Sequence, residues 1–288
     1  MRARIEKIGE VFLQGYHAAL LEDDLFGLAE RLAQIELEFC GFAYEGAAMG
    51  LYLSDFFTLW QRRYDSFLQG PGAPHRYMVH VGAGWALARL PGSPEKRLRP
   101  MDPLLRWLAL DGFGFHQGYF HWPAFIAAQE APKGLSGYGV CAFAQGLGRS
   151  LWFVEGADPE RIALVIAAFP KHCQGHLWSG VGLACAYAGG ADKATLETLR
   201  EQGKEFLPQV AQGAAFAAKA RQRAGNPAAH TDLACRVLCG LSAEQAAEIT
   251  DLALEGLPAA GEVPAYELWR RRIQAQLPFR RIDLKAQI

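Results

Sequence analysis

Two short stretches, QGLGRSL at 145–151 and SGVGLAC at 179–185, share a glycine that is followed by small residues two and four positions later. Five further stretches resemble them: QGYHAAL at 14–20, EGAAMGL at 45–51, VGAGWAL at 81–87, DGFGFHQ at 111–117 and QGAAFAA at 212–218. The first glycines of the seven stretches are 31, 36, 30, 34, 34 and 33 residues apart. This spacing is typical of helix–turn–helix repeats such as the tetratricopeptide, so it predicts an internal repeat.

The small residues predict how the repeated helices pack. Positions four apart lie on one face of an α-helix, so Gly146 with Ser150 and Gly180 with Ala184 form a narrow stripe. Glycine inside a helix costs about 1 kcal/mol relative to alanine, and a close helix–helix approach explains why it is used so often. We therefore expect an all-α fold made of about seven helical hairpins in a single domain over residues 1–288. The hairpins form either an open, tetratricopeptide-like solenoid or an array that closes on itself.

Signals for partner helices occur between the glycine motifs. Asp158 before Pro159 predicts a capped helix start, and Ser242 with Gln245 matches a capping box. Asp102 predicts a helix that runs to Leu110. A last helix is predicted to begin near Pro264.

Composition limits the classes of function. Hydrophobic residues make up 51% of the chain and charged residues 20%, which is typical of a globular protein. The net charge of −1 gives no basis for binding nucleic acid. We find no secretory signal and no apolar run of roughly 20 residues that could span a bilayer, so we expect a soluble, cytoplasmic protein. The six cysteines are dispersed and are interpreted as structural thiols, and no metal site is expected.

Long blocks around the motifs resemble one known family. Among them are YMVHVGAGWALARLP at 77–91, DPLLRWLALDGFGFHQGYF at 102–120 and LPQVAQGAAFAAKARQRAG at 207–225. They are similar to blocks of the UnbL-like proteins, which carry the domain of unknown function DUF1702 and occur in the conserved cassette of enediyne antibiotic gene clusters. The resemblance runs from about residue 4 to about residue 276.

The resemblance implies a role in antibiotic biosynthesis. In the enediyne pathway an iterative polyketide synthase makes a linear polyene, which cassette proteins convert into the enediyne core. The cassette includes a membrane protein similar to an electron-transport subunit, so the implied partners are a polyene-type intermediate and other cassette proteins, including this redox protein. Association with a membrane would then go through such a partner. The resemblance supplies no catalytic residues and identifies no cofactor.

Polar residues directly before the motif glycines are the first site candidates. Equivalent positions of a repeat project toward one shared surface, so these side chains either line a groove or cavity or form helix caps and bonds between repeats. Glu45, Asp111, His116 and Arg149 are the candidates for polar chemistry, because a buried arginine needs a carboxylate partner and His116 follows Asp111 by little more than one helical turn. The candidates for lining a binding site are Gln145, Ser179 and Gln212.

Aromatic residues follow the glycines on several of the same helices. Trp85, Tyr119, Trp152 and Tyr187 are the aromatic candidates for substrate binding. An apolar, aromatic-lined channel suits an extended conjugated chain, although aromatic side chains at helical spacing also pack protein cores.

These patterns support two hypotheses of different classes. In the first, the protein binds a linear polyene-type intermediate in a helical cavity and assists its conversion to the enediyne core. In the second, it is a non-catalytic scaffold that docks polyketide synthase or membrane redox partners through a concave face, as helical arrays often do. An enclosed aromatic cavity favours the first hypothesis, and an open polar groove favours the second.

Overall fold

The computed structural model describes residues 1–58, 60–258 and 261–281, and in these ranges the chain forms helices and turns without any strand. The all-α prediction is confirmed. The α-helices are α1 (Arg2–Leu21), α2 (Leu25–Ala33), α3 (Cys40–Phe57), α4 (Arg63–Gln69), α5 (Arg76–Leu87), α6 (Pro94–Arg97), α7 (Trp107–Phe120), α8 (Tyr138–Val154), α9 (Pro159–Ala167), α10 (Lys171–Ala188), α11 (Lys193–Gln202), α12 (Leu207–Ala224), α13 (Ala229–Leu238), α14 (Ala243–Leu252) and α15 (Ala265–Gln276).

Local capping explains several helix starts. The carboxylate of Asp158 accepts hydrogen bonds from the first backbone N–H groups of α9, and Ser242 and Gln245 form the predicted capping box of α14. The prediction of a helix from Asp102 to Leu110 is wrong. The Asp102 carboxylate accepts the backbone N–H groups of the next turn, but that turn ends and the helix begins only at Trp107.

The glycine motifs lie on seven helices, α1, α3, α5, α7, α8, α10 and α12, and each of these packs against the next one along the chain. A side chain at Gly180 would overlap the carbonyl oxygen of Gln145, and one at Gly146 would overlap that of Asp111. The same contact joins Gly82 to Glu45, Gly112 to Val81 and Gly213 to Ser179. Glycine is therefore required where the backbones of neighbouring helices touch, as the small-residue stripe predicted.

The first motif is shifted by two residues relative to the alignment that its sequence suggests. Gly15 touches the Ala43 carbonyl, a contact that in the later helices belongs to the second glycine of the motif, such as Gly84. Leu13 therefore occupies the position of the first glycine, and the first interval becomes 33 residues instead of 31. Gln14 is an exposed residue beside a surface groove of α1 and is not equivalent to Glu45. The residue of α1 that is equivalent to Glu45 is Phe12.

The N-terminal part of the chain is bound to the ends of α10 and α12. Arg221 on α12 donates hydrogen bonds to the carbonyls of Glu38 (3.2 Å) and Tyr187 (2.6 Å). The ring of Phe42 on α3 packs edge-on against that of Tyr187, with 5.3 Å between centroids. These contacts bring α3 beside α10, although they are far apart in sequence.

None of the helices in the described ranges is long and apolar enough to cross a membrane. All six cysteines are free thiols.

Candidate functional site

Two adjoining cavities lie among the long helices. The outer chamber has a volume of about 310 Å³, opens between α1 and α7 and is lined by Ile5, Ile8, Gly9, Phe12, Leu13, Phe42, Glu45, Trp85, Phe115, Tyr119, Phe120, Arg149 and Phe153. The inner chamber is a narrow slot of about 40 Å³ that continues toward α10, α12 and α15. Phe42, Arg149 and Phe153 line both chambers, so these three side chains form the partition between them.

The cavity-lining residues follow the glycine motif. If the first glycine of a motif is position 0, the lining side chains come mainly from positions −4, −1, +3 and +7, which lie on one helix face. Position −1 supplies Phe12, Glu45, Val81 and Asp111. Position +3 supplies Trp85, Phe115, Arg149, Leu183 and Phe216. The repeat therefore directs the same face of successive helices toward one interior space.

Three charged residues, which we call the ionic bridge, meet at the partition: Glu45, Asp111 and Arg149. Arg149 Nη1 donates a hydrogen bond to Asp111 Oδ1, and Arg149 Nη2 lies 3.8 Å from Glu45 Oε1. All three side chains are buried. Trp85 Nε1 donates a 2.9 Å hydrogen bond to Glu45 Oε1, and the Arg149 guanidinium lies 5.0 Å from the centre of the Phe115 ring. The structure thus joins the three residues that the sequence could only propose as partners.

Burial governs the electrostatics of the ionic bridge. Two carboxyls and one guanidinium would leave a net charge of −1 in an apolar interior, which is costly. Burial raises the pKa of Glu45 to about 7 despite the nearby Arg149 and the Trp85 hydrogen bond. Burial also raises the pKa of Asp111. Burial opposes the charge of Arg149, but Asp111 and Glu45 outweigh it and raise the arginine pKa.

Glu45 is consequently the proton-exchanging group of the bridge near neutral pH. Its Oε1 already accepts the Trp85 N–H, so a proton on this carboxyl would lie on Oε2. Asp111 accepts a hydrogen bond directly from Arg149, and this contact favours the ionised form of Asp111 against the effect of burial. A buried carboxyl whose pKa is close to 7 can act as either an acid or a base.

Of the other predicted residues, Trp85 and Tyr119 line the outer chamber and Tyr187 lines the inner one. His116 does not join the bridge. Its ring packs against Trp85 and Phe120, and burial lowers its pKa to about 4. The described structure contains no hydrogen bond or ion pair between His116 and Asp111, because the two side chains leave α7 in different directions.

Three predicted lining residues instead belong to a second buried cluster. We call it the Arg270 network: Tyr138, Gln145, His176, Ser179, Gln212, Glu267 and Arg270. Arg270 donates to Gln212 Oε1 (3.0 Å) and to Glu267 Oε2 (2.8 Å), and Ser179 Oγ donates to the same Gln212 oxygen (3.0 Å). Gln145 Nε2 donates to Tyr138 Oη at 3.3 Å. These side chains therefore connect helices to one another and lie outside both chambers.

Trp152 also lies outside the chambers. It is fully buried, and its Nε1 donates a 3.2 Å hydrogen bond to the Gly189 carbonyl. Trp152 is therefore a residue of the protein core, which was one of the two roles that its helical spacing allowed.

Sequence reasoning missed Phe42 and Met78, which lie at position −4 of the motif, and Tyr266 and Trp269 of α15. Extending the aligned motif by one turn toward its N-terminal side would have found the first two. No signal in the repeat could have found the two α15 residues, because they come from outside it.

Oxygen, nitrogen and sulfur ligands for a metal are not assembled at this site. Within residues 1–58, 60–258 and 261–281 no group of three or more His, Cys, Asp or Glu side chains could hold a metal ion. The ionic bridge offers two carboxylates, but Arg149 already lies between them.

Comparison with known proteins gives one match. The family model described as "Protein of unknown function (DUF1702)" matches residues 1–277. No curated protein and no solved structure matches the chain.

Proposed function

We propose that this chain, which belongs to the DUF1702 family of proteins of unknown function, binds an elongated apolar ligand in the outer chamber and exchanges a proton with it through Glu45. The observation that carries the proposal is the composition of the walls. Apart from the ionic bridge, the described lining residues of both chambers are uncharged and mostly aliphatic or aromatic. Cavities of roughly 300–1,000 Å³ with few polar groups are typical of small-molecule sites.

A linear polyene-type intermediate of enediyne antibiotic biosynthesis is the ligand that we favour. The resemblance of the sequence to UnbL-like proteins suggests this compound class, and the chambers suit its shape. The outer chamber presents Phe12, Trp85, Phe115 and Tyr119 to a conjugated chain, which stacks well on aromatic faces. In this proposal the protein assists conversion of the chain toward the enediyne core, and the carboxyl of Glu45 supplies or accepts the proton.

The arrangement of the helices supports an enclosing function. We propose that the chain is an array of helical hairpins that curls around the chambers. The recurrent glycine contacts bring the seven long helices together at their backbones, and the contact of Phe42 with Tyr187 brings an early helix against a late one. Such an array presents the same face of each helix to the enclosed space.

The alternative function, a scaffold that docks polyketide synthase or membrane redox partners, is less well supported. That hypothesis expects an open polar groove on the concave side. The chambers are instead apolar, and the ionic bridge supplies their only charged side chains among the described lining residues.

Gly9 offers a direct test of ligand binding. It lies at the mouth of the outer chamber on α1, and a Cβ added there would meet no atom of the described residues within 4 Å. Gly9→Leu should therefore leave the fold intact while filling the mouth. We expect it to weaken binding of diphenylhexatriene, a neutral linear conjugated probe whose fluorescence rises in apolar surroundings, by about ten-fold or more, which corresponds to about 1.4 kcal/mol.

The control is Glu10→Leu, which places the same side chain on the neighbouring exposed position of α1, outside the lining of the chamber. It should bind the probe like the parent. If the parent protein does not bind the probe, or if Gly9→Leu binds it as well as the parent does, the cavity is not a site for long apolar ligands.

A further inference from the structure

The charge of the chamber walls restricts the ligand more narrowly than their shape does. Arg149 is the only Lys, Arg or His side chain among the described residues that line either chamber. It faces two carboxyls, Asp111 and Glu45. The walls therefore carry a net charge of −1 when both acids are ionised and zero when Glu45 is protonated. They carry no net positive charge as long as one of the two acids is ionised.

Both acids of the ionic bridge also engage Arg149. Its Nη1 donates to Asp111, its Nη2 faces Glu45 at 3.8 Å, and its guanidinium lies 5.0 Å from the centre of the Phe115 ring. A carboxylate or phosphate on the ligand would compete with Asp111 for the guanidinium and would lie beside a second buried acid. Adding a further anion next to this one cation is costly in an apolar interior.

From these two observations we infer that the chambers select ligands with no anionic group: a neutral hydrocarbon-like chain is bound, and a fatty acid, an acyl phosphate or a thioester still attached to a phosphorylated carrier is excluded. This inference rests on the proposed function, because it concerns the ligand of the same cavity. It adds that Asp111 is a specificity-determining residue, since it neutralises the one guanidinium that could otherwise bind an acid.

A matched pair of probes tests the inference. Diphenylhexatriene is neutral, and its propionic acid derivative has the same conjugated rod with one carboxylate. At pH 8 we expect the neutral probe to bind the parent protein at least about ten-fold more tightly than the carboxylate, because like charges in a dry site repel strongly. In Asp111→Asn, which releases Arg149 from its strong partner, the carboxylate should gain affinity by on the order of ten-fold while binding of the neutral probe changes little.

Asp251→Asn is the control, because it removes the same charge from an exposed ion pair with Lys219. It should leave both affinities unchanged. Glu45→Gln is a second test variant, because it removes the other acid of the ionic bridge. It should raise the affinity for the carboxylate probe, as Asp111→Asn does. Circular dichroism verifies that each variant is folded.

The outcomes separate the two proposals. If the parent protein binds the carboxylate probe as tightly as the neutral one, the inference is overturned and the proposed function stands. The inference is also overturned if neither Asp111→Asn nor Glu45→Gln gains affinity for the carboxylate. If neither probe binds the parent protein, the proposed function fails and the inference fails with it.

Discussion

The ionic bridge and the Arg270 network are both built around a fully buried arginine with an acidic partner, yet their surroundings differ. Arg270 makes hydrogen bonds of 3.0, 3.2 and 2.8 Å with Gln212, Tyr138 and Glu267, and packed side chains surround it. Arg149 has one direct hydrogen bond, to Asp111, and it borders unfilled space on two sides. The first cluster connects α15 to the body of the protein, and the second faces the chambers.

The pKa values of Glu267 and Glu45 also differ, because the surroundings of the two clusters differ. Burial works against the ionised form of Glu267, but Arg270 and Arg271 outweigh it and lower its pKa. At Glu45 burial dominates and raises the pKa to about 7. A buried arginine is therefore weak evidence for a functional site by itself. Two features together distinguish the ionic bridge. It borders a cavity, and the cost of burying the Glu45 carboxylate is only partly offset by Arg149.

Among these predictions, removal of the Arg270 guanidinium should have the largest effect on stability. Arg270→Met removes the buried cation of Glu267, leaving only the exposed Arg271, and takes donors from Gln212 and Tyr138, so we expect a loss of about 3–5 kcal/mol in the free energy of unfolding. Urea denaturation measures it. Arg271→Met is the matched control, because Arg271 pairs with the same Glu267 but is largely exposed. It should remain within about 1 kcal/mol of the parent. Equal losses for the two variants would contradict a structural role for the buried arginine.

The pH dependence of stability should distinguish the two glutamates. The pKa of Glu45 in the folded protein, about 7, is above its ordinary value of 4.5. Its contribution is therefore fully present below pH 4.5 and is lost as the pH rises through 7, for a total of about 3 kcal/mol. The stability of the parent minus that of Glu45→Gln should fall by this amount over that range in urea denaturation.

Glu267 should show the opposite sign. Its pKa is lowered, so its contribution is present above pH 4.5 and is lost as the pH falls. The parent minus Glu267→Gln difference should therefore decrease toward acid. Differences of the same sign for both glutamates would show that the ionic bridge and the Arg270 network are electrostatically alike.

Trp85 should give the smallest effect. Trp85→Phe removes the N–H that Glu45 accepts, which destabilises the ionised carboxyl by about 1 kcal/mol and raises its pKa further. An NMR titration of the Glu45 carboxyl measures the shift. Trp107→Phe is the control, because the buried Trp107 Nε1 has no hydrogen-bond partner among the described residues. A Glu45 pKa that is unchanged in Trp85→Phe would mean that this hydrogen bond does not hold the carboxyl.

Much of the fold could be predicted from local patterns. The glycine motif fixed the helices that touch and the residues at their contacts, because only glycine permits backbones to approach so closely. Capping residues such as Asp158 and Ser242 located helix starts for an equally local reason. Asp102 shows the limit of such signals. A capped turn resembles the start of a helix, and only the later backbone path decides whether the helix continues.

The candidate site was only partly predictable. The polarity of Glu45, Asp111 and Arg149 at helical positions made them candidates, and the cost of burying a lone charge required that they pair. The same reasoning applied to Gln145, Ser179 and Gln212, yet these bind Arg270 and its neighbours. Equivalent positions of the glycine motif become different in the tertiary structure because Arg270 and Glu267 of α15 bind some of these side chains, while others face the chambers.

The sequence by itself determined the all-helical class, the close helix contacts and the presence of charges that had to find partners, since each depends on residue type and spacing along the chain. The tertiary structure alone decided which charges met, that His116 and Trp152 were kept apart from them, and that unfilled space remained beside Glu45. Those outcomes depend on distances between residues that are far apart in the sequence, 58 positions for Gln212 with Arg270 and 226 for Arg4 with His230, and no local pattern encodes such distances.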